Sequence, residues 1–88
     1  MPHSPPRRLD RAGVLVSDPE IAGGAPIFRG TRVPVSTLFE YLQAGIGIDE
    51  ILAEFPTLDR DDVLTVLREA HDLVVGDART AVLAGLGP

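Results

Sequence analysis

The chain has 88 residues, a net charge of −5 and a hydrophobic fraction of 44%, which fits one small globular domain whose modest core favours a dimer. It contains no cysteine, which excludes disulfides, cysteine zinc sites and thiol catalysis and fits a reducing cytosol. No segment approaches the run of about 20 apolar residues that a membrane span needs, and no targeting signal is apparent, so we expect a cytoplasmic protein without a membrane partner.

The charge is divided unevenly along the chain. Residues 1–35 carry five arginines against three carboxylates, which gives +2, whereas residues 36–88 carry three arginines against ten carboxylates, which gives −7. Such a difference between the two halves indicates two surfaces with different partners.

The N-terminal segment has little to bury. Residues 1–12 are rich in proline and arginine, which indicates a mobile arm. Residues 14–16 (VLV) then favour a short strand.

The next segment, PIFRGTRVPV at residues 26–35, predicts a two-stranded ribbon. Glycine at Gly30 suits the first central position of a type II′ hairpin turn. Proline at Pro26 and Pro34 cannot donate to a ladder, so both strands are expected at an edge.

After Pro34 the hydrophobic period changes from two to about 3.6, which indicates helices. In the first helix Ser36 is the expected N-cap and Gly45 the expected C-terminal cap. A short second helix is expected to end before Pro56, because a proline disfavours the helical conformation of the residue before it.

A third helix is predicted to begin at Asp59, which is the expected N-cap, with Asp62 reaching back as in a capping box. Its buried stripe consists of Val63, Val66, Leu67, Ala70, Leu73 and Val74. Gly76 and Asp77 are expected to interrupt this helix.

These elements predict a mainly α fold in which a short N-terminal β-ribbon precedes three helices. The second and third helices are joined by a connection short enough for a helix-turn-helix. We divide the chain into an arm at residues 1–12, the ribbon and helix-turn-helix domain at residues 13–75, and a C-terminal helix or tail at residues 76–88.

The sequence does not indicate an enzyme. The two histidines, His3 and His71, lie in the arm and at the margin of the third helix's apolar stripe, and no cluster has metal-ligand spacing. The acidic run of residues 59–62 (DRDD) is explained by capping and by the helix dipole. We therefore expect no catalytic residue, no metal and no cofactor.

Two arginines flank the predicted turn. If Gly30 and Thr31 form its tip, Arg29 and Arg32 oppose each other across the strands, where like charges destabilise the pair. Either an external anion such as DNA phosphate meets them, or carboxylates of the same fold or of a dimer mate do, for example Glu20. The sequence leaves both interpretations open.

On the first interpretation the ribbon resembles a wing that contacts phosphate or the minor groove. The candidate DNA-binding residues are Arg7, Arg8, Arg11, Arg29, Thr31, Arg32 and Arg60. The acidic start of the third helix opposes a polyanion, so any DNA contact should be carried mainly by the ribbon and the arm.

The C-terminal segment is more apolar than a three-helix domain this small obviously requires. Its apolar residues are Val74, Val75, Val82, Leu83 and Leu86. Either they close the core, or they form a dimer face or a docking segment for another protein.

The pattern SDPEIAGGAPIFRGTRVPV, followed by a helix ending in LQAG and by IDEILAEFPTLDRDDVLTVLREA, resembles a prokaryotic family catalogued as domain of unknown function 433. That family includes VapB-type antitoxins of toxin–antitoxin pairs, and the resemblance covers roughly residues 14–74.

The resemblance implies a homeodomain-like or winged helix-turn-helix fold that is usually dimeric. For members paired with a toxin, it implies neutralisation of a PIN-domain ribonuclease and repression of the operon. VapB-type antitoxins commonly place a C-terminal arginine in the toxin's acidic, magnesium-binding pocket. In this chain the candidate is Arg79, with Val82, Leu83 and Leu86 as apolar partner contacts.

We therefore expect the dimeric antitoxin of a type II toxin–antitoxin pair, which binds a ribonuclease toxin and operator DNA. The alternative is a protein–protein interaction and dimerisation module that binds no DNA.

Overall fold

The structure is a computed structural model that describes residues 6–83 and residue 85. It consists of a small antiparallel sheet followed by three helices. The elements are β1 (Arg7–Arg8), β2 (Leu15–Ser17), β3 (Ile27–Phe28), α1 (Val35–Gln43), α2 (Ile48–Glu54) and α3 (Arg60–Leu83). The predicted order, short strands and then three helices, is confirmed. The second predicted strand of the ribbon, at residues 32–35, is wrong, because this segment forms an isolated bridge at Pro34 and then enters α1.

The sheet has the strand order β1-β2-β3, and both pairs are antiparallel. Strand β1 occupies part of the segment that the sequence assigned to an arm. The β1–β2 loop is closed by a hydrogen bond from the Leu15 N–H to the Asp10 carboxylate at 2.8 Å, and Gly13 turns the chain with a φ of 73°. β1 pairs with the next strand along the chain, and the proline- and arginine-rich composition of the arm does not reveal this pairing.

The turn after β3 has the predicted register but not the predicted type. Ile27 bridges Pro34, and the Phe28 N–H donates to the Val33 carbonyl. However, the Thr31 N–H donates to the Phe28 carbonyl at 3.1 Å, which makes Gly30, with a φ of 71°, the third residue of a turn. That position takes glycine in a type II turn, so the two-residue type II′ hairpin is wrong.

Helix α1 begins at Val35, two residues earlier than an N-cap at Ser36 would place it. Pro34 rather than Ser36 is the N-cap residue, and no side chain caps this end. The predicted C-terminal cap is confirmed, because Gly45 has a φ of 84°. The N–H groups of Gly45 and Ile46 donate to the carbonyls of Leu42 and Tyr41, which is the hydrogen-bond pattern of a Schellman motif.

The core lies between the sheet and the first halves of the helices. Its buried residues are Val14, Phe28, Val33, Leu38, Ile51, Leu58, Val63 and Val66. Tyr41 and Phe55 join α1 to the end of α2 edge to face, with ring centroids 5.4 Å apart.

Helix α3 does not break at Gly76 and Asp77, so the predicted interruption is wrong. The helix runs for 24 residues, which is about 36 Å at 1.5 Å per residue. One internal glycine costs only about 1 kcal/mol relative to alanine, and no proline follows within the helix. Residues 71–80 are all exposed, so the second half of α3 projects beyond the core. No helix among the described residues is both long and apolar enough to cross a membrane.

Candidate functional site

Arg29 is bound by an acidic residue of the same chain. Its Nε and Nη2 atoms donate to the two carboxylate oxygens of Asp62 at 3.2 Å and 3.0 Å. The hydrogen bond and the charge of Asp62 raise the pKa of Arg29. This bidentate ion pair connects the turn after β3 to the first turn of α3. The sequence offered carboxylates such as Glu20 as partners, but the separation of 33 residues gave no signal that would select Asp62.

The hydroxyl of Thr31 is used inside the turn. It donates to the Phe28 carbonyl at 2.8 Å and accepts the Val33 N–H at 3.0 Å. Thr31 therefore supports the turn in this structure, and contact with a phosphate remains a prediction.

Arg32 differs from Arg29. Its side chain is exposed, and none of the acidic residues that the structure describes forms an ion pair with it. Arg32 lines an open groove of about 720 Å³ together with Val16, Asp18 and Phe55.

The remaining candidate arginines do not converge on one surface. Arg7 and Arg8 are consecutive in β1, so their side chains point to opposite faces of the sheet. Arg11 lines a different groove, between the β1–β2 loop and α3. Arg60 forms an ion pair with Asp49 of α2.

The acidic start of α3 is explained within the fold. Asp59 accepts the N–H of Asp61 at 2.8 Å and therefore caps the helix as predicted. Asp62 binds Arg29 instead of completing a capping box. The carboxylates thus stabilise a helix N-terminus, where negative charge is favourable.

The projecting half of α3 carries the exposed apolar residues. Leu73 and Val74 are 69% and 68% exposed, and Val75 is 41% exposed. The predicted buried stripe is therefore wrong at Leu73 and Val74, because α3 has left the core at these positions. Arg79 is exposed on the same segment. The other partner-binding candidates, the side chains of Val82 and Leu83 and the whole of Leu86, lie outside the described part of the structure.

His71 also lies on this projecting half. Its Nδ1 atom is 3.1 Å from the Asp72 carboxylate, and both side chains are about 70% exposed. The described residues contain no group of three or more histidine, cysteine, aspartate and glutamate side chains placed to hold a metal ion.

A second groove, of about 810 Å³, lies beside the point where α3 leaves the core. Its apolar wall is formed by Leu9, Leu15, Val35, Phe39, Val66, Ala70 and Leu73. Asp10 and Glu69 meet at this groove, although 59 positions separate them in the sequence, and sequence reasoning missed this contact.

The chain belongs to the family described as protein of unknown function DUF433, whose model matches residues 15–70. The uncharacterized protein y4eO of Sinorhizobium fredii is 36% identical over 62 residues, which cover 68% of this chain and 28% of the relative. The chain thus spans little more than a quarter of that relative's length. No solved structure matches. The family match ends where burial in α3 ends, so the projecting half of the helix lies outside the matched domain.

Proposed function

We propose that the protein is a non-enzymatic regulator, the antitoxin of a type II toxin–antitoxin pair, and that it neutralises a PIN-domain ribonuclease by docking the projecting half of α3, residues 71–83. The observation that supports this proposal is the exposure of every residue from 71 to 80, which includes Leu73 and Val74.

An isolated helix of this length is marginal in water, and its stability in proteins comes mostly from packing of an apolar face. An amphipathic helix that lies in a groove of a partner is a recurring mode of protein recognition. The projecting half of α3 has apolar side chains that are largely exposed, Leu73 and Val74 among them, which fits that mode.

Arg79 supports the ribonuclease as the partner class. It follows Val75 by four residues, so the two side chains lie on one face of α3. An apolar contact from Val75 and a cation from Arg79 together suit a groove that ends in an acidic, magnesium-binding pocket.

The proposal is tested with the full chain and the protein encoded by the adjacent gene, co-expressed and purified. We expect a PIN-domain protein that forms a complex with a fixed stoichiometry and loses its RNA cleavage activity on binding. An adjacent gene without a PIN domain, or an RNA cleavage rate that is unchanged by the chain, would contradict the proposal.

A second candidate function, operator binding, is favoured by Arg32, because this exposed arginine forms no ion pair with a described residue. We expect Arg32→Ala to weaken binding to promoter DNA and to lower the salt-dependence slope by about one unit, as loss of one phosphate contact should. Arg29→Ala should change the slope less but lower the melting temperature, because Arg29 is bound to Asp62. Gel shifts across a salt series and thermal melts measure the two effects.

The two arginine variants distinguish operator binding from the alternative, a protein–protein interaction module that binds no DNA. If Arg32→Ala and Arg29→Ala have equal salt slopes, or if the chain does not bind the promoter, the protein-only interaction module is favoured.

We also propose a homodimer, because a chain this small has a modest core. Sedimentation at several concentrations tests it, and a monomer throughout would contradict it.

A further inference from the structure

The carboxyl groups of Asp10 and Glu69 line the same groove where the β1–β2 loop meets α3, and they interact electrostatically. The Asp10 Oδ2 and Glu69 Oε1 atoms are both buried, and neither accepts a hydrogen bond from an N–H or O–H group of the residues that the structure describes. The other oxygen of Asp10 accepts the Leu15 N–H at 2.8 Å, which holds the carboxyl group in place. Two ionised carboxylates in this position repel each other, and each leaves a buried acceptor unsatisfied.

The charged groups around this pair do not neutralise it. Arg11 from the loop and Arg68 and Asp72 from α3 line the same groove, whereas α1 contributes only the apolar Val35 and Phe39. Neither Arg11 nor Arg68 forms an ion pair with a described residue.

Arg29 is also within electrostatic reach of Asp10. Its guanidinium group is already bound to Asp62, so it does not bridge Asp10 and Glu69.

We propose that Asp10 and Glu69 share one proton between Oδ2 and Oε1, and that this proton fastens the β1–β2 loop to α3 in a pH-dependent manner. A protonated carboxyl group is a donor as well as an acceptor. One proton therefore satisfies both buried oxygens and replaces repulsion by a charge-assisted hydrogen bond.

The electrostatics of Glu69 agree with this arrangement. Burial raises the pKa of Glu69 above its ordinary value of 4.5, and the hydrogen bond with Asp10 and the charges of Asp10 and Asp72 raise it further. The folded chain therefore binds this proton more tightly than the unfolded chain does. The resulting stability is fully present below pH 4.5 and is lost as the pH rises through the raised pKa.

The consequence is a loop that loosens as the pH rises through the raised pKa of Glu69. The groove beside the loop is lined by Leu9, Leu15 and Leu73. Deprotonation therefore weakens the attachment of the β1–β2 loop to α3 at the point where α3 leaves the core. This property does not depend on the proposed antitoxin function, because it concerns two residues that we do not assign to partner or DNA binding.

An NMR titration of the side-chain carboxyl carbons in the full labelled chain tests the shared proton. We expect Glu69 to titrate above its ordinary range, and Asp10→Asn to shift its midpoint. Asp72→Asn, which removes a neighbouring charge but no hydrogen bond to Glu69, should shift it less. A Glu69 midpoint in the ordinary range, or one that Asp10→Asn leaves unchanged, would overturn the proposal.

A stability measurement gives an independent test. We expect Glu69→Gln to raise the melting temperature by a few degrees at a pH above the raised pKa of Glu69 and to make the melting temperature less dependent on pH. The Gln amide donates to Asp10 at every pH, whereas ionised Glu69 repels it. Glu54→Gln, at an exposed position of α2, is the control and should leave the profile unchanged. A Glu69→Gln profile parallel to that of the wild type would also overturn the proposal.

Discussion

Replacing Leu73 and Val74 together with serine is expected to weaken binding to the proposed ribonuclease partner by about 30- to 1,000-fold. Central apolar anchors that fill a partner pocket cost about 2–4 kcal/mol when truncated, and each 1.4 kcal/mol is about tenfold in affinity. Both side chains are more than two-thirds exposed in the chain alone, so the melting temperature should stay nearly constant. Calorimetric titration and a thermal melt of the same sample measure the two quantities.

Leu64→Ser is the matched control, because Leu64 is an exposed leucine of the same helix in its packed half. We expect this variant to bind the partner as the wild type does. Equal affinities of the double variant and the wild type would exclude the projecting half of α3 as the docking segment. A large drop in the melting temperature of the double variant would show that these residues close the core instead.

Phe28→Ala is expected to unfold most of the chain at room temperature. Phe28 is the largest of the fully buried side chains and packs in the core cluster from β3. Removing a buried phenylalanine costs about 3–5 kcal/mol, and a single small core supplies little more than that. A loss of this size would lower the melting temperature by roughly 12–40 °C.

Circular dichroism during heating measures this effect. Leu64→Ala, which also removes a large apolar side chain but from a half-exposed site, should shift the transition by only a few degrees. If Phe28→Ala melts within a few degrees of the wild type, the sheet does not contribute to the core as the structure places it.

The two arginines of the turn have different environments in the structure. Sequence reasoning treated Arg29 and Arg32 as one opposed pair with one role. Arg29 is bound by Asp62, whereas Arg32 is exposed without an ion-pair partner among the described residues. An interaction with an external anion at this turn therefore rests on Arg32 alone.

The other basic residues lie on different surfaces, so few of them can contact the same DNA molecule together with Arg32. Arg60 is paired with Asp49, and Arg11 lies at the groove beside α3. A DNA interface built from one or two phosphate contacts should have a shallow salt dependence. The gel-shift series with Arg32→Ala is for this reason the most informative measurement on DNA binding.

Local signals predicted several features of the fold. Apolar periodicity indicated the three helices, Gly45 marked the end of α1 because a left-handed residue there costs glycine little, and Asp59 marked the start of α3. The register of Ile27 against Pro34 also followed from the position of Gly30. Each of these features depends on interactions within a few residues, which a sequence carries directly.

By itself, then, the sequence determined the order of the three helices, the glycine that ends α1, the aspartate that caps α3 and the apolar stripe of the first half of α3, because short-range sterics and hydrophobic spacing set them. It did not determine the N-cap of α1, nor the exposure of Leu73 and Val74. Tertiary structure alone decided that β1 joins the sheet, that Asp62 holds Arg29, that Asp10 meets Glu69, and that α3 continues past the core. The physical reason is that an ion pair, a strand pairing or a buried oxygen depends on which distant groups the whole fold brings into contact, and the spacing of residues along one chain does not specify that choice.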